Sequence, residues 1–245
     1  MLNSFRDVYN QMLLFLSALA ALGVYTFGMP ALLNVAAAVS IAALLDAGVN
    51  YYKFKKLELP KSGVISGFFV ALILPFNPLY AAAGAAIAIA SKHIIRFNKR
   101  HVFNPAAFGI TAAMLLFSAA ASWWVATTWL LVPLGLLIVY SIRRWRTAAA
   151  FLGAYALLSI GLSIVRFGLF PDAFRVLDLT LLFFALFMVI EPRTTPHRTK
   201  AMLAFGALVA LASVGLRELG APTDSLLAAM LLGNLFTSTL NKKLG

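Results

Sequence analysis

Lys92-His93-Ile94-Ile95-Arg96-Phe97-Asn98-Lys99-Arg100-His101-Val102-Phe103-Asn104-Pro105-Ala106 decides how this chain folds. The stretch is a short basic turn between two strongly apolar segments. Non-helical backbone at membrane depth survives only where protein buries it or where it lines a cavity. A helix boundary at Phe103-Asn104-Pro105-Ala106 therefore marks a place where broken backbone lines something.

The composition around it sets the class. Of 245 residues, 62% are hydrophobic and 11% charged, and the mean hydropathy is +0.91. A soluble domain carries about 25% charged residues. The chain reads as a polytopic, all-α membrane protein with no separate soluble domain. Its first apolar segment lacks a small-residue cleavage site and reads as a retained helix. The net charge of +12 falls in loops, where it orients helices and meets anionic lipid and not nucleic acid. There is no cysteine, which excludes an iron–sulfur cluster, a thioether-linked haem and a disulfide within the chain. His93, His101 and His197 do not form facing axial pairs for a membrane haem. Any redox cofactor is of another kind or belongs to a partner.

Ten apolar segments follow from hydropathy, at about 8–28, 31–50, 62–75, 79–96, 105–121, 124–142, 147–165, 174–190, 200–216 and 223–240. With both termini on the cytoplasmic side of the inner membrane, 17 Lys and Arg residues lie inside. Arg166, Arg175 and Arg217 lie outside, completing the 20. That asymmetry is the positive-inside pattern. Trp123 and Trp124 read as an outer aromatic belt, and Tyr51, Tyr52 and Trp145 as an inner one.

Segment 62–75 is short and ends in Leu74-Pro75-Phe76-Asn77-Pro78. A second segment, entered after Pro171, ends in Ile190-Glu191-Pro192-Arg193-Thr194-Thr195-Pro196. The residue before each first proline is pushed out of helical geometry, so both helices stop there. The prolines lie 117 positions apart (192 minus 75), close to half the chain. Five segments per half, an odd number, invert one half relative to the other. This predicts two inverted five-helix repeats, residues 1–121 and 122–245, whose broken helices form a site.

Several residues carry candidate chemistry. Asn104-Pro105 reads either as a half-helix N-terminus aimed at an anionic group or as an Asn cap with Pro at the first helical position. Glu191 opposes the dipole at a helix end. It binds a cation or ligand, or pairs with Arg193, Arg198 or Lys200. Asp46 is an intramembrane acid, a functional candidate by default, or an interfacial partner of Lys53 or a neighbouring lysine. Asp178 reads as a cap, and Asn234 as interhelical glue or a ligand-facing group. Phe183, Phe184 and Phe187 read as packing residues, and Lys99-Arg100 as a solvated basic turn. No nucleophile triad, metal-ligand cluster or phosphate-cradling loop is present.

Together, Ser62-Gly63-Val64-Ile65-Ser66-Gly67, Leu72-Ile73-Leu74-Pro75, Ser91-Lys92-His93, Phe103-Asn104-Pro105-Ala106 and Phe187-Met188-Val189-Ile190-Glu191-Pro192 with Thr195-Pro196 resemble one family in order and spacing. It is the family of membrane-core proteins shared by the sodium-pumping NADH:quinone oxidoreductase (Nqr) and the Rnf electron-transport complex. Its fold is similar to that of urea channels. The resemblance spans about residue 40 to the C-terminus. It implies flavin-mediated electron transfer coupled to sodium or proton movement, inside a multi-subunit complex in the lipid bilayer. It points to Pro75, Lys92, Phe103, Asn104, Pro105, Glu191, Thr195 and Asn234 as candidate cofactor-binding residues.

The chain departs from that family at the flavin. Members usually esterify FMN to a threonine in a Ser/Asp-Gly-Ala-Thr motif after the Asn-Pro helix. Here Gly109-Ile110-Thr111 lies within that helix, and residues 121–128 hold Trp123-Trp124 and no glycine. The expectation is that any FMN or riboflavin is non-covalent. Two functions stay open. One is a core subunit that binds flavin or supports partners that do, favoured by Lys92 with Phe103-Asn104-Pro105-Ala106. The other is a urea-channel-like transporter for a small polar solute, able to form homo-oligomers, favoured by the missing attachment threonine.

Overall fold

A computed structural model describes residues 7–55, 59–98, 100–168 and 178–244. Ten α-helices account for most of them. Capping chemistry sets the boundaries. The Asp7 carboxylate accepts from Tyr9 N at 3.0 Å and opens α1 (Val8–Phe27), and Gly28 closes it at φ 70°. Pro30 stands in the first turn of α2 (Met29–Phe54). Helix α3 (Lys61–Ile73) stops where Leu74, extended at ψ 153°, precedes Pro75. Asn77 accepts from Leu79 N and Tyr80 N to start α4 (Pro78–Ile94).

A two-stranded hairpin then departs from the all-helical expectation. Strand β1 (Arg96–Phe97) pairs antiparallel with β2 (Arg100–His101), and Asn98 takes the left-handed turn at φ 48°. Helix α5 (Pro105–Phe117) follows, then α6 (Leu131–Ser141), α7 (Trp145–Phe167), α8 (Leu179–Phe183), α9 (Thr199–Glu218) and α10 (Ser225–Lys243). Helix α8 continues as a π-helical turn over Phe184–Met188. Asp178 caps α8 by accepting from Thr180 N at 2.8 Å, as its sequence suggests. The approach to α8 from Pro171, with Arg175, lies outside the described residues, as does Lys99 of the basic turn.

Two findings correct the hydropathy map. The segment expected at 124–142 becomes helical only at Leu131. Trp123 and Trp124 are not belt residues: both are buried, Trp124 to 3% exposure. Among the described residues, α1, α2, α7 and α9 are long and apolar enough to cross a membrane. Helices α3, α5, α6 and α8 with its π turn are apolar but shorter. The 13 residues of α3 rise only about 20 Å at 1.5 Å per residue.

The chain forms two compact units, Met1–Thr127 and Thr128–Gly245. In the first, α2 packs on α3 and α4, and α4 packs on α5. The buried face of α2 carries Ala31, Ala38 and Ala42, and that of α4 carries Ala81, Ala85 and Ala88. Small residues let helix backbones approach closely where the hydrophobic effect gives no drive. In the second unit, α7 packs on α9 and α9 on α10, around the fully buried Phe151, Phe183, Phe184, Phe187 and Phe205.

Candidate functional site

The first unit holds a buried charge cluster. Asp46, on α2, is 1% exposed. Its Oδ2 accepts from Lys92 Nζ at 2.7 Å, and its Oδ1 lies 2.7 Å from His93 Nε2. Both partners are on α4, 46 and 47 positions away. The sequence pointed to Lys53 or another lysine near it. The tertiary fold supplies Lys92. Gly63 of α3 makes room, since a Cβ there would sit 2.7 Å from Asp46 Cβ. The arrangement compensates an acid and a base where either alone would be costly.

Eleven residues on from Gly63 lies the first helix break, so the fold separates Pro75 from Lys92 by most of the length of α3. The last carbonyls of α3 lose their helical partners at the break, and the chain satisfies them. Ser122 N and Trp123 N donate to Ile73 O at 2.7 and 3.1 Å, and Val125 N to Leu72 O at 3.3 Å. Trp124 Nε1 donates to Ala71 O at 2.7 Å, and Asn34 Nδ2 to the same oxygen at 2.9 Å. Phe27, Phe76 and Trp124 pack ring against ring beside it. Residues 122–125 therefore form a strap over the broken end. Sequence reasoning missed Trp124 and Asn34 here. Asn34, a lone amide in an apolar run, was the available signal.

The second unit braces its break differently. The Arg144 guanidinium is 7% exposed. Its Nη1 donates to Pro196 O, and its Nη2 to Pro192 O at 3.5 Å. Burial draws this group below its ordinary value, yet an arginine so placed stays charged. Asn234 Nδ2 and Thr237 Oγ1 donate to Thr194 O at 3.2 and 2.7 Å. Within the loop, Thr194 Oγ1 donates to Glu191 Oε2 at 2.8 Å and Thr195 Oγ1 to Glu191 O at 2.6 Å. Of the eight candidates, Glu191, Thr195 and Asn234 thus meet at one loop. Arg144 was counted in the sequence only as a loop charge.

Phe103, Asn104 and Pro105 open α5. Asn104 Oδ1 accepts from Ala107 N at 2.9 Å, which is the capping geometry, with Pro105 at the first helical position. Phe103 stacks on Phe108, centroids 5.5 Å apart.

Thr111, the threonine of the Gly-x-Thr stretch, is not placed to carry an ester-linked flavin. Thr111 Oγ1 is enclosed inside α5 without a hydrogen-bond partner, so it offers no exposed oxygen for a phosphoester. Residues 122–125 are committed to the α3 carbonyls.

These elements define an all-α integral membrane protein whose first unit contains a braced helix that ends against Pro75, as expected, and whose second unit contains a braced loop after a helix that ends at Met188, short of the expected stop at Glu191. The chain belongs to the NQR2, RnfD, RnfE family, whose sequence model matches residues 2–129 and 123–244. That membership makes it a membrane subunit of an Rnf/Nqr-type complex. No individual curated protein matches the chain.

Proposed function

We propose that this protein supports flavin-mediated electron transfer coupled to ion translocation, as the embedded core subunit of an Rnf/Nqr-like complex, and carries no covalent flavin of its own. The observation that carries the reading is the family match across both compact units. The buried Asp46–Lys92–His93 cluster supports the ion-coupling part, because ionisable groups held inside apolar helices mark ion and proton routes. The enclosed Thr111 and the committed 122–125 strap support the absence of an ester-linked FMN. Flavin in this reading is bound non-covalently, by this chain or by the soluble subunits it anchors. Among the described residues, five helices in each unit, with a break at Pro75 in one and just before Pro192 in the other, support two inverted five-helix repeats, and the 17-to-3 placement of Lys and Arg supports cytoplasmic termini in the inner membrane.

The test is the visible absorbance of the detergent-purified protein, followed by ultraviolet fluorescence of a denaturing gel. Flavin bands without a fluorescent gel band place a non-covalent flavin on this chain. A colourless chain places it in the partners, in which case the assembled complex shows flavin bands. A fluorescent band on the gel overturns the non-covalent reading. A flavin-free assembled complex overturns the electron-transfer reading.

A further inference from the structure

In sequence the stretch around Lys99-Arg100 reads as a solvated basic turn, yet the hairpin it forms has two unlike faces. Residues directly opposite each other in an antiparallel pair share a face. Arg96 stands opposite His101, and Phe97 opposite Arg100. His101 is 6% exposed, so its end of that face rests on the protein, while Arg96 reaches the surface. Phe97, 56% exposed, stands with exposed Arg100 on the other face, which turns away. Ile94, the last residue of α4, is 78% exposed just before them. Val102 N donates to Ile95 O at 3.1 Å and ties the hairpin to the end of α4. Backbone pairing thus holds two apolar side chains and a guanidinium outward.

The contacts of α4 set the depth of the hairpin. Lys92, near the end of α4, meets Asp46, and a Cβ on Gly63, near the start of α3, would touch Asp46 as well. The end of α4, the start of α3 and the last turns of α2 therefore lie together at one end of the unit. Those last turns of α2 expose Tyr51, Tyr52 and Phe54, with Lys55 Nζ 5.6 and 5.7 Å from the two tyrosine centroids. Aromatic rings interleaved with lysine are the composition of a bilayer–water boundary. The hairpin follows α4 directly at that level. In open water Phe97 and Ile94 would face solvent, and deeper in the bilayer Arg100 would be costly. The acids described at this end, Asp7 and Asp46, are taken up by Lys61 and by Lys92 with His93. Lys53, Lys55 and Arg100 have no carboxylate partner among the described residues.

We propose that the Phe97–Arg100 face of the hairpin, with Ile94, binds an anionic phospholipid of the adjoining leaflet. The Arg100 guanidinium takes the phosphate, whose oxygens match its planar fork. Phe97 and Ile94 lie against the acyl chains at the headgroup boundary, as the apolar side of an interfacial element does. The uncompensated positive charge selects an anionic lipid over a zwitterionic one. An acidic protein surface would meet the cation but not the two apolar side chains, whereas a lipid meets both. The inference rests on insertion of the chain in a bilayer and not on the electron-transfer reading.

The chain has no cysteine, so a nitroxide attached through Phe97→Cys reports alone. The full chain is placed in phosphatidylcholine vesicles with or without phosphatidylglycerol. Collisions of the label with oxygen and with an aqueous nickel chelate give its depth. Leu157→Cys, exposed on the apolar α7, marks the acyl region, and Lys243→Cys, exposed at the end of α10, marks water. With phosphatidylglycerol present, the label at position 97 sits between the two marks. Arg100→Gln in the same background shifts its lipid-to-water populations about fivefold toward water, the weight of one surface cation. Without phosphatidylglycerol that substitution has no effect. A label at position 97 as open to nickel as the one at position 243 overturns the proposal. So does a depth indifferent to both phosphatidylglycerol and Arg100→Gln. Protection that arises only in the assembled complex also overturns it and assigns the face to an acidic partner protein. If Phe97→Cys does not fold, a label on Ile94→Cys decides by the same outcomes.

Discussion

Asp46 illustrates what a single residue costs in a lipid-embedded fold. Its carboxylate faces Lys92 Nζ and His93 Nε2 at 2.7 Å each, inside apolar helices. Removing one partner of a buried pair leaves the other charge uncompensated, typically a loss of about 3–5 kcal/mol. Asp46→Asn is expected to lower the thermal midpoint of the detergent-solubilised protein sharply. The double variant Asp46→Asn/Lys92→Met recovers most of the loss. Equal midpoints for wild type and Asp46→Asn would show that the pair contributes nothing. Asn104 is a second case. Asn104→Leu removes the bond to Ala107 N, a cap worth about 1 kcal/mol, while Asn104→Asp keeps it. The leucine variant is expected to insert in the membrane yet lose cofactor handling. Full activity in a well-expressed Asn104→Leu protein refutes a role for this helix start in the site.

At the scale of elements, the two broken helices are held by different chemistry. Helix α3 ends under neutral donors from the 122–125 strap, whereas the loop after α8 is held by the Arg144 cation. Trp124→Leu deletes the donor to Ala71 O and the aromatic packing. It is expected to lower the thermal midpoint more than Trp129→Leu, which changes an exposed tryptophan of the same segment. A weaker, pH-dependent tie joins the start of α1 to the start of α3, where Lys61 Nζ donates to Asp7 Oδ2 at 2.6 Å. The Lys61 ammonium, then the Tyr9 N–H, hold the Asp7 carboxyl below its ordinary value of 3.8. A group whose pKa is lowered on folding stabilises the fold above its unfolded value and loses that contribution as pH falls through its folded value. The tie is therefore whole at neutral pH and fades below about pH 4. Asp7→Asn is expected to flatten the acid limb of a midpoint-against-pH curve, and an unaltered limb would remove Asp7 as its source.

At the scale of the molecule, family membership makes the chain one subunit of a larger membrane assembly. Gentle extraction from its native membrane is expected to yield a complex well above the 26.4 kDa of the chain, with other subunits present by mass spectrometry. Migration as the chain alone under those conditions counts against that assembly.

Class, most helix positions and the break at Pro75 were legible in the residues themselves. They follow from local causes: apolar runs long enough for helices, caps at Asn104 and Asp178, and a proline at 75 that its helix cannot pass. Glu191 and Thr195 share one loop in the sequence, whereas packing alone brings Asn234 against it. What the tertiary structure alone decided were the partners across sequence. Lys92 and not Lys53 meets Asp46, Trp124 caps a helix instead of lining an interface, and Arg144 reaches a loop some fifty positions on. Propensity and hydropathy act over one or two helical turns. A buried polar group must find its partner wherever packing brings one, and that choice is made only when the helices assemble.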